Sequence, residues 1–310
     1  MRHRVESELC MGTTVTIHVV SSETDSIVAR YIDSAFALFR EVEQQCSRFD
    51  PDSPLRQLSH TVGKPVQVPE HLFNAVNFAV AMAAITDGVF TPTIGRNMEE
   101  HGFNRNYITG ETVSWTGLVN TDANYQDIIL NEEQRTITLM RPLLLDVGAV
   151  AKGLAVDLAA RTLMNFPGFS IDAGGDVFVH GVDEDEKPWR LGIKHPLHPD
   201  DSICSLHAIN DAAVCTSGSY YRISPSNPRV HHLLNPMKNR DDKGPETVSC
   251  TVIAPYAMMA DAFSTAAFLL GKGQGIDLLE QNGLNGLIIT SGLETYLTDK
   301  MEDFIYEFYK

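Results

Sequence analysis

The sequence predicts an α+β fold. Strand-like segments rich in β-branched residues occur in neighbouring groups, amphipathic helices stand between them, and no regular strand–helix alternation runs through the chain. Residues 13–20, TTVTIHVV, are β-branched and partly alternating, hence a strand. Residues 26–49 set apolar side chains at helical spacing with charges opposite, and FDPDSP ends that helix as a turn-rich break. A second helix over 71–88 closes at Asp87-Gly88, and FTPTIGR after it reads as a loop. Short strands near 126–130 and 136–140 flank a turn at Asn131–Gln134. Residues 143–147 read as a buried strand, followed by a glycine-containing turn and a helix from about 150 to 165. FSIDAGGDVFVHG (169–181) is strand, glycine turn, strand, and WRLGIKHP and DAAVCTSGSYYRI add further strands. ETVSCTVIAPYAMMADAFSTAAFLLG is a strand to about 254 and then a long helix; GLIIT and ETYLT close the fold as a hairpin. No repeat, low-complexity tract or Gly/Ser linker divides the chain, so a single domain over 1–310 is expected.

At 310 residues, 43% hydrophobic and 21% charged, the chain has the composition of a globular protein with a substantial core. Its formal net charge of -16 disfavours nucleic acid and anionic membranes as partners. An anionic substrate then needs local help from backbone N–H groups, a few Lys or Arg, or a metal ion. The five cysteines are scattered, with no C-x-x-C pair, which argues against a zinc site or a disulfide framework and suits a reducing compartment. The N-terminal stretch has no long apolar run and no small-residue cleavage site. The expectation is a cytoplasmic protein with no membrane insertion, or a periplasmic one if an export signal has been trimmed.

LLLDVGAVAKGLAVDLAA (143–160) is nearly all apolar yet carries Asp146, Lys152 and Asp157, with glycines at 148 and 153. A helix starting near Ala149 aims free N–H groups outward, an anion site. Lys152 in its first turn opposes the helix dipole, a local violation of the kind found at functional sites. The competing reading makes Asp146 a helix cap and Lys152 a solvated side chain. Asp261 and Thr265 share one helix face at i, i+4, and a carboxylate with a hydroxyl suits Mg²⁺, although taken alone such a pair is ordinarily a capping or packing feature. DAGGD (172–176) is either a tight hairpin turn or a place where backbone approaches a ligand. HPLHPD (195–200) sets two histidines three apart, a weak metal candidate because prolines break any helix there.

MGT (11–13), FDPDS (49–53), FTPTIG (90–95), LDVGAVAKGLAVD (145–157), DAGGD, TSGSYYR (216–222), HLLNP (232–236) and ADAFSTA (260–266) follow one another through most of the chain. In that order they resemble the FAD:protein FMN transferases, the ApbE family once described as thiamine biosynthesis lipoproteins. The resemblance implies a single T-fold-related α+β unit of mixed and antiparallel sheets with packed helices and a flavin cleft. It implies Mg²⁺-dependent transfer of FMN from FAD to a threonine or serine hydroxyl of a partner protein, releasing AMP. By the same resemblance Asp261, Thr265 and the backbone carbonyl of Ala149 are metal ligands, with Mn²⁺ an alternative to Mg²⁺. Met11, Phe49, Phe90, Thr91, Asp146, Lys152, His232 and Leu233 match FAD-contacting positions, and His232 is the candidate base near neutral pH. Asn235 stands where the family's H-x-x-D-P motif has a carboxylate, and MKNRDDKGPE replaces the usual following Thr-Gly. Two further readings stay open: hydrolysis of FAD to FMN and AMP, and FAD binding without catalysis.

Overall fold

The computed structural model describes residues 1–198, 200–207, 209–237 and 246–309. In chain order the strands are β1 (Arg2–Cys10), β2 (Thr13–Ser21), β3 (Val66–Gln67), β4 (Ile128–Asn131), β5 (Thr136–Leu139), β6 (Gly168–Ala173), β7 (Val177–Gly181), β8 (Leu191–Lys194), β9 (Ser202–Leu206), β10 (Ala212–Gly218), β11 (Thr247–Ala254), β12 (Asn285–Thr290), β13 (Thr295–Leu297) and β14 (Ile305–Phe308). The helices are α1 (Asp25–Cys46), α2 (Pro54–Ser59), α3 (Glu70–Ile85), α4 (Gly95–Glu100), α5 (Gly148–Leu163), α6 (Ala257–Leu270) and α7 (Lys272–Gln281). Strand pairs within the sheets are antiparallel. Helices and antiparallel sheets together make the α+β class that the sequence predicts.

The chain divides into two compact units. The first comprises Met1–Arg40, Lys152–Gly218 and Pro245–Lys310. It is built on an eight-stranded sheet in the order β1-β2-β6-β7-β10-β11-β12-β13. β11 lies deep in it: most of its residues are buried, which requires apolar or small side chains on both faces, and TVSCTVIA supplies them. On one face α6 packs against β10 and β11, and α7 against β12. α6 is buried almost all round, which its alanines allow by letting the helix approach closely. On the other face Val179, Val214, Ile253 and Ile289 meet Ile193, Ile203 and Leu206 of a three-stranded sheet, β14-β9-β8. Burying each such side chain stabilises by roughly 1.5–3 kcal/mol.

The second unit comprises Glu41–Ala151 and Ser219–Gly244 and carries a small sheet, β3-β5-β4. Here residues 143–147 depart from the predicted strand. Leu143, Leu144 and Leu145 are buried, but the segment joins no sheet. Its backbone pairs with non-strand partners: the Gly95 N–H donates to the Leu144 carbonyl (3.2 Å), the Asp146 N–H to the Pro92 carbonyl (2.8 Å), and the Leu145 N–H to Ser59 Oγ (3.5 Å). A short 3₁₀ turn over Pro92–Ile94 and the following α4 occupy the stretch expected as a loop, with the Thr91 hydroxyl accepting from the Thr93 N–H. All five cysteines are free and buried. Among the described residues no helix is long and apolar enough to cross a membrane.

Candidate functional site

α6 starts after Tyr256 without a side-chain cap from its own N-cap residue. Asp157 of α5 supplies one instead: the Ala257 N–H donates to Oδ1 at 2.6 Å and the Met258 N–H to Oδ2 at 3.0 Å. Two of the helix's orphan donors are thereby satisfied by one carboxylate. The close approach depends on Gly153, one turn earlier on α5. A Cβ there would stand 2.5 Å from Ala257 backbone atoms and from Met258 Cα. Asp157 is only 6% exposed. Burial pushes its carboxyl up to about 6, against the two amide hydrogen bonds and Arg161, which pull it down.

This docking sets the helix that carries Asp261 and Thr265, both buried. The Lys152 ammonium lies 3.2 Å from Asp261 Oδ2 and also pairs with the carboxylate of Asp176. A lysine that opposes the α5 dipole is thus held by two carboxylates, which resolves the anomaly in the sequence. Thr265 Oγ1 is 2.9 Å from Ser217 Oγ on β10. Ser217 Oγ is 2.9 Å from Ser264 Oγ, and Ser264 donates to the Asp261 carbonyl at 2.9 Å. Two carboxylates against one ammonium, beside a buried hydroxyl, form a hard-oxygen set with excess negative charge, a donor chemistry that fits a divalent cation. Among the described residues no cluster of three or more His, Cys, Asp or Glu could hold a metal, so a cation here would have to draw on hydroxyl or backbone oxygen as well.

In the same unit the MGT and DAGGD motifs meet. Met11 and Gly12 both have positive φ (52° and 76°) in the two-residue turn between β1 and β2, where Cys10 pairs with Thr13. Gly174, at φ 69°, sits so close that a Cβ would lie 2.1 Å from Thr13 Oγ1. Asp172 Oδ1 accepts from the Gly175 N–H at 2.7 Å. DAGGD is therefore a hairpin turn between β6 and β7, and it also delivers Asp176 to Lys152.

In the second unit Asp146 takes the helix-capping role and also holds an arginine. Its Oδ1 accepts from the Gly148 N–H (2.8 Å) at the start of α5, and its Oδ2 accepts from Arg48 Nε (2.7 Å). Arg48, 5% exposed, also donates from Nη2 to the Phe103 carbonyl (2.6 Å), and its guanidinium carbon lies 4.5 Å from the Phe49 ring centroid. Phe103 packs edge-on to His232, with ring centroids 6.5 Å apart. Arg48 thereby links Asp146, Phe49 and, through Phe103, His232. Phe90 (4% exposed) and Leu233 (8%) are buried apolar side chains, and Ala149 lies in the first turn of α5. Asn235 Oδ1 accepts from the Met237 N–H at 2.9 Å, so this side chain closes a turn. Residues 238–245 of the altered MKNRDDKGPE stretch lie outside the described residues.

Asp157, Asp176 and Ser217 in the first unit and Arg48 in the second are side chains to which sequence reasoning gave no role. Their partners are far away in the chain; Asp157, Asp176 and Ser217 lie inside the family-like motifs, and Arg48 lies just before one. The weak histidine pair takes a local role: His195 Nδ1 accepts from the Leu197 and His198 N–H groups at 3.1 and 3.2 Å.

The model of the ApbE family matches residues 11–288. The chain is 26% identical to a Vibrio cholerae protein named FAD:protein FMN transferase, over 95% of this chain and 90% of that one. It is 27% identical to an Escherichia coli K12 protein of the same name, over 85% of this chain and 78% of that one. Among solved structures it resembles the ApbE protein of Thermotoga maritima, with a TM-score of 0.84 and 26% identity over 99% of this chain and 100% of that one. The flavin transferase ApbE of Vibrio cholerae has a TM-score of 0.80 at 24% identity, covering 98% and 99%, a likeness of fold. With the family model spanning nearly all of a chain whose motifs fold in these positions, the chain belongs to the ApbE family.

Proposed function

We propose that this chain transfers the FMN moiety of FAD to a threonine or serine hydroxyl of a partner protein, releasing AMP, with Mg²⁺ as the working cation. The observation that carries the reading is the set of buried Asp261, Thr265 and Asp176 around the half-buried Lys152, in a chain whose curated relatives are named FAD:protein FMN transferase over most of its length. In the reaction the acceptor hydroxyl forms a P–O bond to the FMN phosphorus. The pyrophosphate P–O bond breaks, and AMP leaves with the electron pair. Positioning and charge neutralisation supply most of the acceleration in such a transfer. Bound Mg²⁺ would offset pyrophosphate charge and polarise a phosphoryl oxygen.

Asp261 and Thr265 are the side chains assigned to the cation. Lys152 adds a positive charge that two carboxylates keep in place. His232 is assigned as acceptor of the hydroxyl's proton. Met11, Phe49, Phe90, Thr91, Asp146 and Leu233 are assigned to FAD, with Arg48 holding Asp146 in its orientation.

The test follows AMP release from FAD with Mg²⁺ and with EDTA, for wild type and Asp261→Ala. Covalent flavin is read by in-gel fluorescence on candidate acceptor proteins co-expressed with the chain. Metal-dependent AMP release with flavin attached to an acceptor supports the reading. Free FMN as the sole flavin product with every acceptor would make the enzyme a hydrolase, and tight FAD binding with no AMP would make it a binding protein.

A further inference from the structure

Three hydroxyls and one carbonyl on β10 and α6 form a chain whose proton directions can be counted. Each hydroxyl has one proton to donate, and a carbonyl only accepts. Ser264 Oγ therefore spends its proton on the Asp261 carbonyl, 2.9 Å away. It can only accept in its 2.9 Å contact with Ser217 Oγ, so Ser217 is the donor there. Ser217 then has no proton left for Thr265 Oγ1, also 2.9 Å away, and Thr265 must donate to Ser217. One arrangement satisfies all three contacts: Thr265 to Ser217 to Ser264 to the Asp261 carbonyl.

From this geometry we propose that Ser217 is a positioning residue which turns the Thr265 proton away from the site and leaves the Thr265 oxygen as a lone-pair donor for a divalent cation. The proposal rests on the reading of Asp261 and Thr265 as cation ligands. A threonine inside a helix commonly donates back to the carbonyl of residue i−4. For Thr265 that residue is Asp261, whose carbonyl already accepts from Ser264. Burial makes the arrangement hold: Ser217 and Thr265 are each 7% exposed and Ser264 is fully buried, so bulk water competes poorly for these protons. The chain ends on the backbone of Asp261 itself, so the orientation of one ligand is tied to the helix turn that bears the other. Partners that orient metal ligands in this way are typically worth 10–100-fold in affinity.

The test is Mn²⁺ binding to the full chain without flavin, read as loss of the free-ion EPR signal. It uses wild type, Thr265→Ala, Ser217→Ala, Ser264→Ala and the Ser217→Ala/Thr265→Ala double variant, each with a metal-free melting curve. The expected result is a large loss for Thr265→Ala, about tenfold weaker binding for Ser217→Ala, and a smaller loss for Ser264→Ala, because Thr265 can still donate to Ser217 there. The double variant should bind no worse than Thr265→Ala alone, since Ser217 acts through that oxygen. Wild-type affinity in Ser217→Ala, with Thr265→Ala impaired, overturns the proposal and spares the cation reading. A Ser217→Ala loss of equal size in the Thr265→Ala background shows a merely structural role. Unchanged affinity in Thr265→Ala removes the cation reading and the proposal together.

Discussion

Asp157 offers a prediction whose sign and size follow from its surroundings. Its carboxyl is raised from the ordinary 3.8 to about 6, first by burial, with the Ala257 and Met258 amides pulling the other way. Between those values the folded protein holds a proton that the unfolded chain has released. This group's stabilising contribution is therefore complete below the unfolded value and is lost as pH rises through about 6. A shift of about two units corresponds to roughly 3 kcal/mol, of which about 1 kcal/mol should change between pH 5 and pH 7. Asp157→Asn cannot titrate. Its amide also offers one acceptor to two N–H groups, leaving one buried donor unmet at a cost of about 1–3 kcal/mol. The expected outcome is a stability gap between wild type and variant that widens by about 1 kcal/mol from pH 7 to pH 5. Urea unfolding of both proteins across that range reads it directly. A gap that is constant with pH, or one that narrows toward acid, would refute the reasoning.

Other substitutions test the remaining contacts. Gly174→Ala meets both a left-handed backbone and Thr13 Oγ1 at 2.1 Å, so a loss of about 2 kcal/mol or more is expected in chemical denaturation. Part of that loss should return in the Thr13→Ala background, where the backbone strain and a tight 3.0 Å approach to the Cβ of residue 13 remain. Arg48→Ala strips the half-buried Asp146 carboxylate and the Phe103 carbonyl of a partner and should cost about 1–3 kcal/mol; Arg48→Lys should not restore it, because one ammonium cannot reproduce the planar fork. Asn235→Asp keeps an acceptor for the Met237 N–H, so the melting temperature should stay within the range of about ±0.5 kcal/mol of stability.

How far the sequence could be read depended on where each signal lay. α1, α3 and the β6–β7 hairpin were legible because their periodicity and turn residues are local. The step from β11 into α6 was legible for the same reason. Residues 143–147 misled because three leucines in a row mark burial and not pairing; the partners are a 3₁₀ turn and a serine, which no periodicity encodes. At the site, Asp261 and Thr265 stood out through helical spacing and Lys152 through its conflict with the α5 dipole. Asp176 and Ser217 left no such trace, nor, in the second unit, did Arg48. Each acts across a long sequence separation, and an arginine between a serine and a phenylalanine looks like any other before the chain folds.

β1 escaped the sequence reading altogether, and the reason has a consequence for the molecule at high concentration. RHRVESELC places Arg2, Arg4, Glu6 and Glu8 on one side of a strand that ends the eight-stranded sheet. Glu8 is tethered by Arg40, and Arg4 pairs with Glu6. The alternating charges that hide the strand from a hydrophobic pattern also make its open edge a poor template for a second chain, although Val5 and Leu9 are exposed beside them. A growing sheet would have to desolvate those ion pairs at every added strand, so the edge guards the protein against self-annealing while leaving its own register intact.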